Sequence, residues 1–395
     1  MLKEKIQSLA KELHHVTIMN RRQLHSHPEL SFKEFKTSAF VAGKLTKLGI
    51  QFEKKADTGI VALLKGAKSA SDQIIALRAD MDALPITETN DVSYKSQNPG
   101  VMHACGHDMH TSSLLATANI LNQLKSEFSG TVKLIFQPGE EKIPGGASIM
   151  IKEGVLENPK PKSIIGQHVM PELPFGKVGF CAGPYLASSD EIYITVTGKG
   201  GHGAIPHLNI DPVAISCQLI IALQQIVSRQ ANPIIPSVLS FGKLIAEGAT
   251  NVIPDKVEIE GTFRTFDIEW KEIAHARMKK MAVSLVEGMG GKCNFEIRKG
   301  YPVLNNEENL TREVRQYTED FLGKENVLDI DPSMGAEDFA FYSQQIPACF
   351  YRIGVANEKS GITSGLHTST FDIDERSLEM GPGLMAYLAV KYLGN

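Results

Sequence analysis

From Lys3 to Leu24 the apolar residues Ile6, Leu9, Leu13, Val16 and Leu24 recur near helical spacing, with lysines and glutamates between them, and predict an amphipathic helix. Pro28, in Leu24-His25-Ser26-His27-Pro28-Glu29-Leu30, ends it, and His25 and His27, at i, i+2 spacing, read as part of a packed turn, with a metal pair as the alternative. Short apolar runs at 59–65, 74–78, 131–137 and 163–168 predict strands, and 111–125 carries Leu114, Leu115, Ala118, Leu121 and Leu124 at helical spacing. Beyond about residue 181 the rhythm changes. Residues 191–197 alternate like a half-exposed strand; a helix follows at 212–229, then strands at 237–245 and 256–266, a helix at 269–288 and a strand at 293–298. That order, β-α-β-β-α-β, is the ferredoxin-like split unit. The earlier pattern then resumes with a helix at 310–322, a strand at 348–355 and a helix at 375–393. The expected fold class is α/β: two domains, a mixed-sheet domain formed discontinuously by 1–182 and 298–395, and an inserted ferredoxin-like α+β domain over 183–297.

A chain of 395 residues is longer than one hydrophobic core usually serves, which agrees with two domains. The net charge of −4, with signs interspersed, gives no basic footprint for nucleic acid and no cationic run for an anionic membrane. A small molecule or peptide is the expected partner. The start, Met1-Leu2-Lys3-Glu4-Lys5-Ile6, lacks an apolar signal core, and no window reads as the roughly 18 unbroken apolar residues of a membrane span. A cytoplasmic protein is expected. The five cysteines, Cys105, Cys181, Cys217, Cys293 and Cys349, are odd in number and scattered, the usage of a reducing compartment. Cys105 is then free to serve as a thiolate ligand.

The chemistry concentrates in Met102-His103-Ala104-Cys105-Gly106-His107-Asp108-Met109-His110. So many polar groups are costly to bury unless each finds a partner, and a metal ion satisfies several at once. Cys105 and His107, two residues apart across a glycine, can grip one ion, and Asp108 or Thr111 is the expected cap of the helix that follows. Glu140 and Glu141 end the strand at 131–137, His168 ends the one at 163–168, and His367 sits in a Gly/Ser loop. Asp80 and Asp82 follow the strand at 74–78 and read either as turn caps or, for Asp82, as the group that orients a metal-bound imidazole. Cys105, His107, Glu141, His168 and His367 are too many for one open tetrahedral site, so two divalent ions sharing a ligand are expected. Such a centre suits amide hydrolysis, with Glu140 as the general base. In the inserted domain, the glycine-flanked His202 is a candidate oxyanion donor or an ordinary loop histidine. Asn251 and Arg264 are candidate substrate contacts, with a turn and a surface salt bridge as the plainer readings.

Together, Asp80-Met81-Asp82-Ala83-Leu84-Pro85, His103-Ala104-Cys105-Gly106-His107-Asp108, Gln137-Pro138-Gly139-Glu140-Glu141, Gly201-His202-Gly203-Ala204 and Gly335-Ala336-Glu337-Asp338-Phe339 resemble the aminoacylase and carboxypeptidase family of two-metal peptidases, peptidase family M20. Within it the pattern is similar to the amidohydrolase subfamily of hippurate hydrolases and indole-acetyl-amino-acid hydrolases. The resemblance spans nearly the whole chain. It implies a metallohydrolase domain with a smaller lid that mediates homodimerisation in many members. It also implies two divalent ions (Zn, Mn, Co or Ni) on Cys105, His107, Glu141, His168 and His367, Glu140 as base, His202 on the oxyanion, and Asn251 and Arg264 on substrate. Many members have His-x-Asp where this chain has Asp80-Met81-Asp82, so a metal contact by Asp80 is not implied.

The leading expectation is hydrolysis of N-acyl amino acids, hippurate-like or N-acetyl, to a carboxylic acid and an amino acid. The alternatives are a dipeptidase or a deacetylase of an acylated cell-wall precursor such as N-acetyl-diaminopimelate, a cysteine hydrolase using Cys105 and His107, and a non-catalytic binding protein on the same fold.

Overall fold

The structure is a computed structural model that describes residues 2–394. It divides into two compact units. The larger comprises the described residues up to Tyr185, Asn305–Pro332, and the described residues from Asp338 onward; the smaller comprises Leu186–Leu304 and Ser333–Glu337. The chain therefore enters the smaller unit twice. The second visit, Ser333–Glu337, is too short to carry a periodic signal in sequence.

The larger unit is built on an eight-stranded mixed sheet. Its order is Phe52–Lys55, Gly59–Lys65, Thr131–Gln137, Ile74–Asp80, Ser163–Pro174, Ala348–Ala356, Val178–Phe180, Val327–Asp329. Six consecutive residues are buried in both Ile74–Asp80 and Thr131–Gln137, the mark of strands covered on both faces. One cover is the helix His107–Gln123, with Leu114, Leu115, Ala118 and Leu121 in the core beside Ile6 and Leu384 of the first and last helices. The first helix, Leu2–Ser26, buries Ile6 and Leu24 of the expected stripe but leaves Val16 exposed, and it also buries Ala10, Arg21 and His25. A helix over Phe35–Lys47 was not expected from the sequence. Gly43 and five lysines or threonines weaken its apolar stripe, whose fully buried apolar members are only Val41 and Leu45.

In the smaller unit the strands Ser188–Thr197, Ser237–Ile245, Lys256–Thr265 and Lys292–Lys299 form an antiparallel sheet. Numbered along the chain, their spatial order is fourth, first, third, second, the split-unit topology. The helices Pro212–Leu223 and Ile268–Gly288 bury Leu219, Leu223, Ala274 and Met278 against Ile194, Val257 and Phe263. The helical run Pro212–Gln230 has 19 residues and is apolar enough on average to cross a membrane by length and composition, although Gln218, Gln224, Gln225 and Arg229 interrupt it. Here it ends in a π turn at Ile226–Gln230 and puts Ile215, Leu219, Leu223 and Ile226 into the unit's core.

Candidate metal centre

Ile74–Asp80, Thr131–Gln137 and Ser163–Pro174 run parallel, so the residues that follow them emerge on one edge of the sheet, where open α/β sheets place their chemistry. Asp82 follows the first, Glu140 and Glu141 follow the second, and His168 lies on the third. The Cys105–His107 segment reaches the same edge through Gly106. That residue has φ +81°, and a Cβ there would meet Val169 Cγ2 at 2.6 Å, so glycine is required both by the turn and by the close approach. The helix begins at His107 with Gly106 at its N-cap and no side-chain cap. Asp108 and Thr111 therefore do not cap it. Asp108 instead receives Arg21 Nε at 2.7 Å and faces His25 Nδ1 at 2.8 Å. Burial alone would raise the Asp108 carboxyl, but these two cations hold it far below the carboxylate range.

Two three-residue donor groups meet here and share one sulfur: Cys105 with His107 and His168, and Cys105 with Glu141 and His367. Cys105 Sγ lies 3.5 Å from His168 Nε2, and Glu141 Oε1 lies 3.2 Å from His367 Nε2 and 3.9 Å from His107 Nε2. Ligand bonds of about 2.1 to 2.3 Å at tetrahedral angles make donor-to-donor edges of roughly 3.4 to 3.7 Å, the scale seen. The ring orientations also suit an ion. His107 turns Nδ1 to Asp82, 2.9 Å from its main-chain oxygen and 3.2 Å from Oδ1, and His168 turns Nδ1 to Val169 O at 2.7 Å. Each therefore presents Nε2 to the centre. His107 Nε2 and Glu141 Oε1 are shielded from solvent yet make no hydrogen bond of good geometry. Burial keeps the His168 imidazole neutral and raises the Cys105 thiol, so a thiolate here needs positive charge beside it. Cys105 and Glu141 pull the half-exposed His367 imidazole up to about 10. Orphaned donors around a buried thiol fit divalent cations well.

Glu140 is buried, and Asp338 N donates to its Oε1 at 3.3 Å. Asp80 accepts from Arg78 Nη1 at 2.6 Å and meets His110 Nδ1 at 2.7 Å, and its Oδ2 lies 3.7 Å from His107 Nε2. In the smaller unit, Val252 pairs with His202 in a two-residue ladder and Gly203 N donates to Asn251 O, so His202 and Asn251 are neighbours. Ala204 N donates to His202 Nδ1 at 3.0 Å, which leaves the ring proton on the exposed Nε2. Arg264 has no ion-pair partner among the described residues. Its half-buried guanidinium donates to Met334 O at 2.9 Å, which removes the surface salt bridge as its explanation.

Several supporting residues escaped the sequence reading. Glu34 is fully buried and accepts from Gly139 N. Ser31 Oγ donates to Asp82 Oδ2 at 2.6 Å, and Arg78 joins Asp80 to Asp338. The only available signal was charge inside apolar surroundings, as in Ile74-Ile75-Ala76-Leu77-Arg78. Burial, with the Asp82 charge nearby, pushes the Glu34 carboxyl up to about 6. A raised carboxyl pKa makes the folded chain lose stability as pH climbs from about 4.5 to about 6. Glu34→Gln is therefore expected to melt at or above wild type at pH 7.5, with the difference gone near pH 4. Thermal melts at both pH values check this; a variant that melts lower at pH 7.5 contradicts it.

Fold and site together define a two-domain, metal-dependent hydrolase. Residues 76–391 match the sequence profile of Peptidase family M20/M25/M40, and the chain belongs to that family. It is 39% identical over 395 residues to thermostable carboxypeptidase 2 of Saccharolobus solfataricus, covering 99% of each chain. It is 43% identical over 310 residues to the N-acyl-L-amino acid amidohydrolase of Geobacillus stearothermophilus, covering 78% of this chain and 83% of that one. Among solved structures, the YXEP protein of Bacillus subtilis, described as a dinuclear metal binding peptidase from the M20 family, aligns with a TM-score of 0.82 at 35% identity. The alignment covers 98% of this chain and 99% of that chain.

Proposed function

We propose that this protein hydrolyses the amide bond of N-acyl amino acids, releasing a carboxylic acid and an amino acid. Two divalent cations would be held by Cys105, His107, Glu141, His168 and His367. The observation that carries the reading is the pair of donor groups sharing the Cys105 sulfur. When bound, such a cation pair polarises the amide carbonyl and acidifies a water. Glu140 takes that water's proton and returns it to the leaving nitrogen, its carboxylate steadied by the Asp338 amide. Asp82 holds the His107 ring in its donor orientation. His202, with its proton on Nε2, donates to the carbonyl oxygen as negative charge grows there, Asn251 supports the same substrate, and the Arg264 fork suits a free carboxylate. Thiolate with imidazole favours Zn, Co or Ni, and the carboxylate admits Mn.

We place the protein in the cytoplasm, as a homodimer joined through the smaller unit. That unit leaves Ile221 and Ile234 exposed at 65% and 83%, and its strand Ser237–Ile245 has a free outer edge. Ile221→Glu is expected to shift the mass in light scattering from dimer to monomer. A wild type already monomeric at high concentration contradicts the dimer.

The decisive assay is amino-acid release from N-acetyl, N-benzoyl and N-indoleacetyl amino acids beside a set of dipeptides. Release from the acyl amino acids, abolished by a chelator and restored by Zn, Mn, Co or Ni, is the expected result. Full activity in metal-free protein overturns the centre, and release from dipeptides alone moves the substrate to peptides.

A further inference from the structure

The segment Ser31–Glu34 touches both arms of the centre without supplying a ligand to it. It runs beside the Asp82 turn, where Leu30 bridges Ala83 and Ala83 N donates to Glu29 O at 2.8 Å. Ser31 Oγ donates to Asp82 Oδ2, and the same oxygen accepts Glu141 N at 2.9 Å. Glu34 Oε1 accepts two main-chain amides, Phe32 N and Gly139 N, each at 2.8 Å, while Oε2 accepts Thr58 Oγ1 at 2.8 Å. Gly139 immediately precedes Glu140. Its φ of +59° belongs to the left-handed region, and a Cβ there would lie 2.3 Å from the Phe32 ring. Phe32 itself has φ +63°, a costly conformation for a bulky residue, and it is held there by the bond to Glu34. A fully buried carboxylate is thus committed to a strained turn and to the amide that precedes Glu140.

We propose that Glu34 is a positioning residue that sets the Gly139 turn and, through it, the aim of the Glu140 carboxylate. The proposal rests on Glu140 acting as the base. What matters is reach rather than charge. A glutamine side chain can place its oxygen on Gly139 N and Phe32 N and its amide on the Thr58 hydroxyl, which rotates to accept. An aspartate keeps the charge and falls one methylene short.

The test compares Glu34→Gln, Glu34→Asp and Glu34→Ala in the full-length, metal-loaded protein. The measurements are kcat, KM, metal per chain and amide hydrogen exchange at Gly139. E34Q is expected to stay within threefold of wild type in every measurement. E34D and E34A are expected to lose about 100-fold in kcat at similar KM and unchanged metal content, the scale of an ångström-sized misplacement. Exchange at Gly139 is expected to run about tenfold faster in both, while Glu141 N, held by Asp82, keeps its protection. If E34A does not fold, the E34Q and E34D pair decides. E34D matching wild type in exchange or in kcat, or E34Q failing as badly as E34D, overturns the proposal. If Glu140→Gln is as active as wild type, the reading of the base fails, and the exchange contrast still decides whether Glu34 sets the turn.

Discussion

Glu140→Gln is expected to lower kcat by about 10³-fold, the middle of the range for general acid–base catalysis, with KM within a few-fold and metal content unchanged. The substitution isolates basicity. Glutamine has the same shape, and its amide oxygen can still accept Asp338 N, so the turn and the buried surroundings are kept. Glu141 is a separate donor whose main-chain amide is tied to Asp82, so metal affinity has no reason to follow. Single-turnover rates and metal analysis on the same preparation give the answer. A kcat within threefold of wild type removes Glu140 from the proton transfer and favours a role in metal affinity; lost metal instead makes it part of the ligand set.

The fold was largely readable because its two halves announce different periods. Residues 131–137 carry the unbroken apolar run Leu134-Ile135-Phe136 and residues 191–197 alternate, which already separates a doubly covered sheet from a half-exposed one. Cys105, His107, Glu141, His168 and His367 stood out in the sequence as residue types that bind cations, but the expected strand end at His168 is wrong, because that strand runs on to Pro174. What holds these five in place did not stand out. Glu34, Arg78 and Asp338 act through main-chain amides or through one another across 59 to 260 positions of sequence, as in the Arg78 bonds to Gln137 and Asp338. Local spacing carries no trace of such partners. The left-handed Phe32 and His367 are equally silent, because nothing in a phenylalanine or a histidine announces φ +63° or +60°. Phe32 is held by the nearby Glu34 carboxylate, and His367 by the long-range bond from its N to Ala104 O at 2.8 Å.

Arg78→Leu is expected to destabilise the metal-free protein by about 3 to 5 kcal/mol, the cost of leaving buried charges without their partner. Arg78, Asp80 and Asp338 are all fully buried. The guanidinium reaches Asp80 Oδ2 at 2.6 Å, Asp338 Oδ1 at 2.8 Å and Gln137 Oε1 at 2.9 Å. Burial alone would raise the Asp80 carboxyl; His107, Arg78 and His110 hold it well below the carboxylate range. Leucine fills most of the stem's volume, so the loss is electrostatic rather than a cavity. The variant leaves Asp338 with Gln137 Nε2 and Ala147 N, neutral donors that do not replace a cation. Urea unfolding without metal measures the loss free of the stabilisation that bound cations add. Asp338→Asn in the Arg78→Leu background is expected to recover part of it by removing one unpaired charge, although the same change in wild type destabilises. A loss below about 1 kcal/mol for Arg78→Leu, or additive effects in the double variant, means the network is solvated on opening and carries little stability.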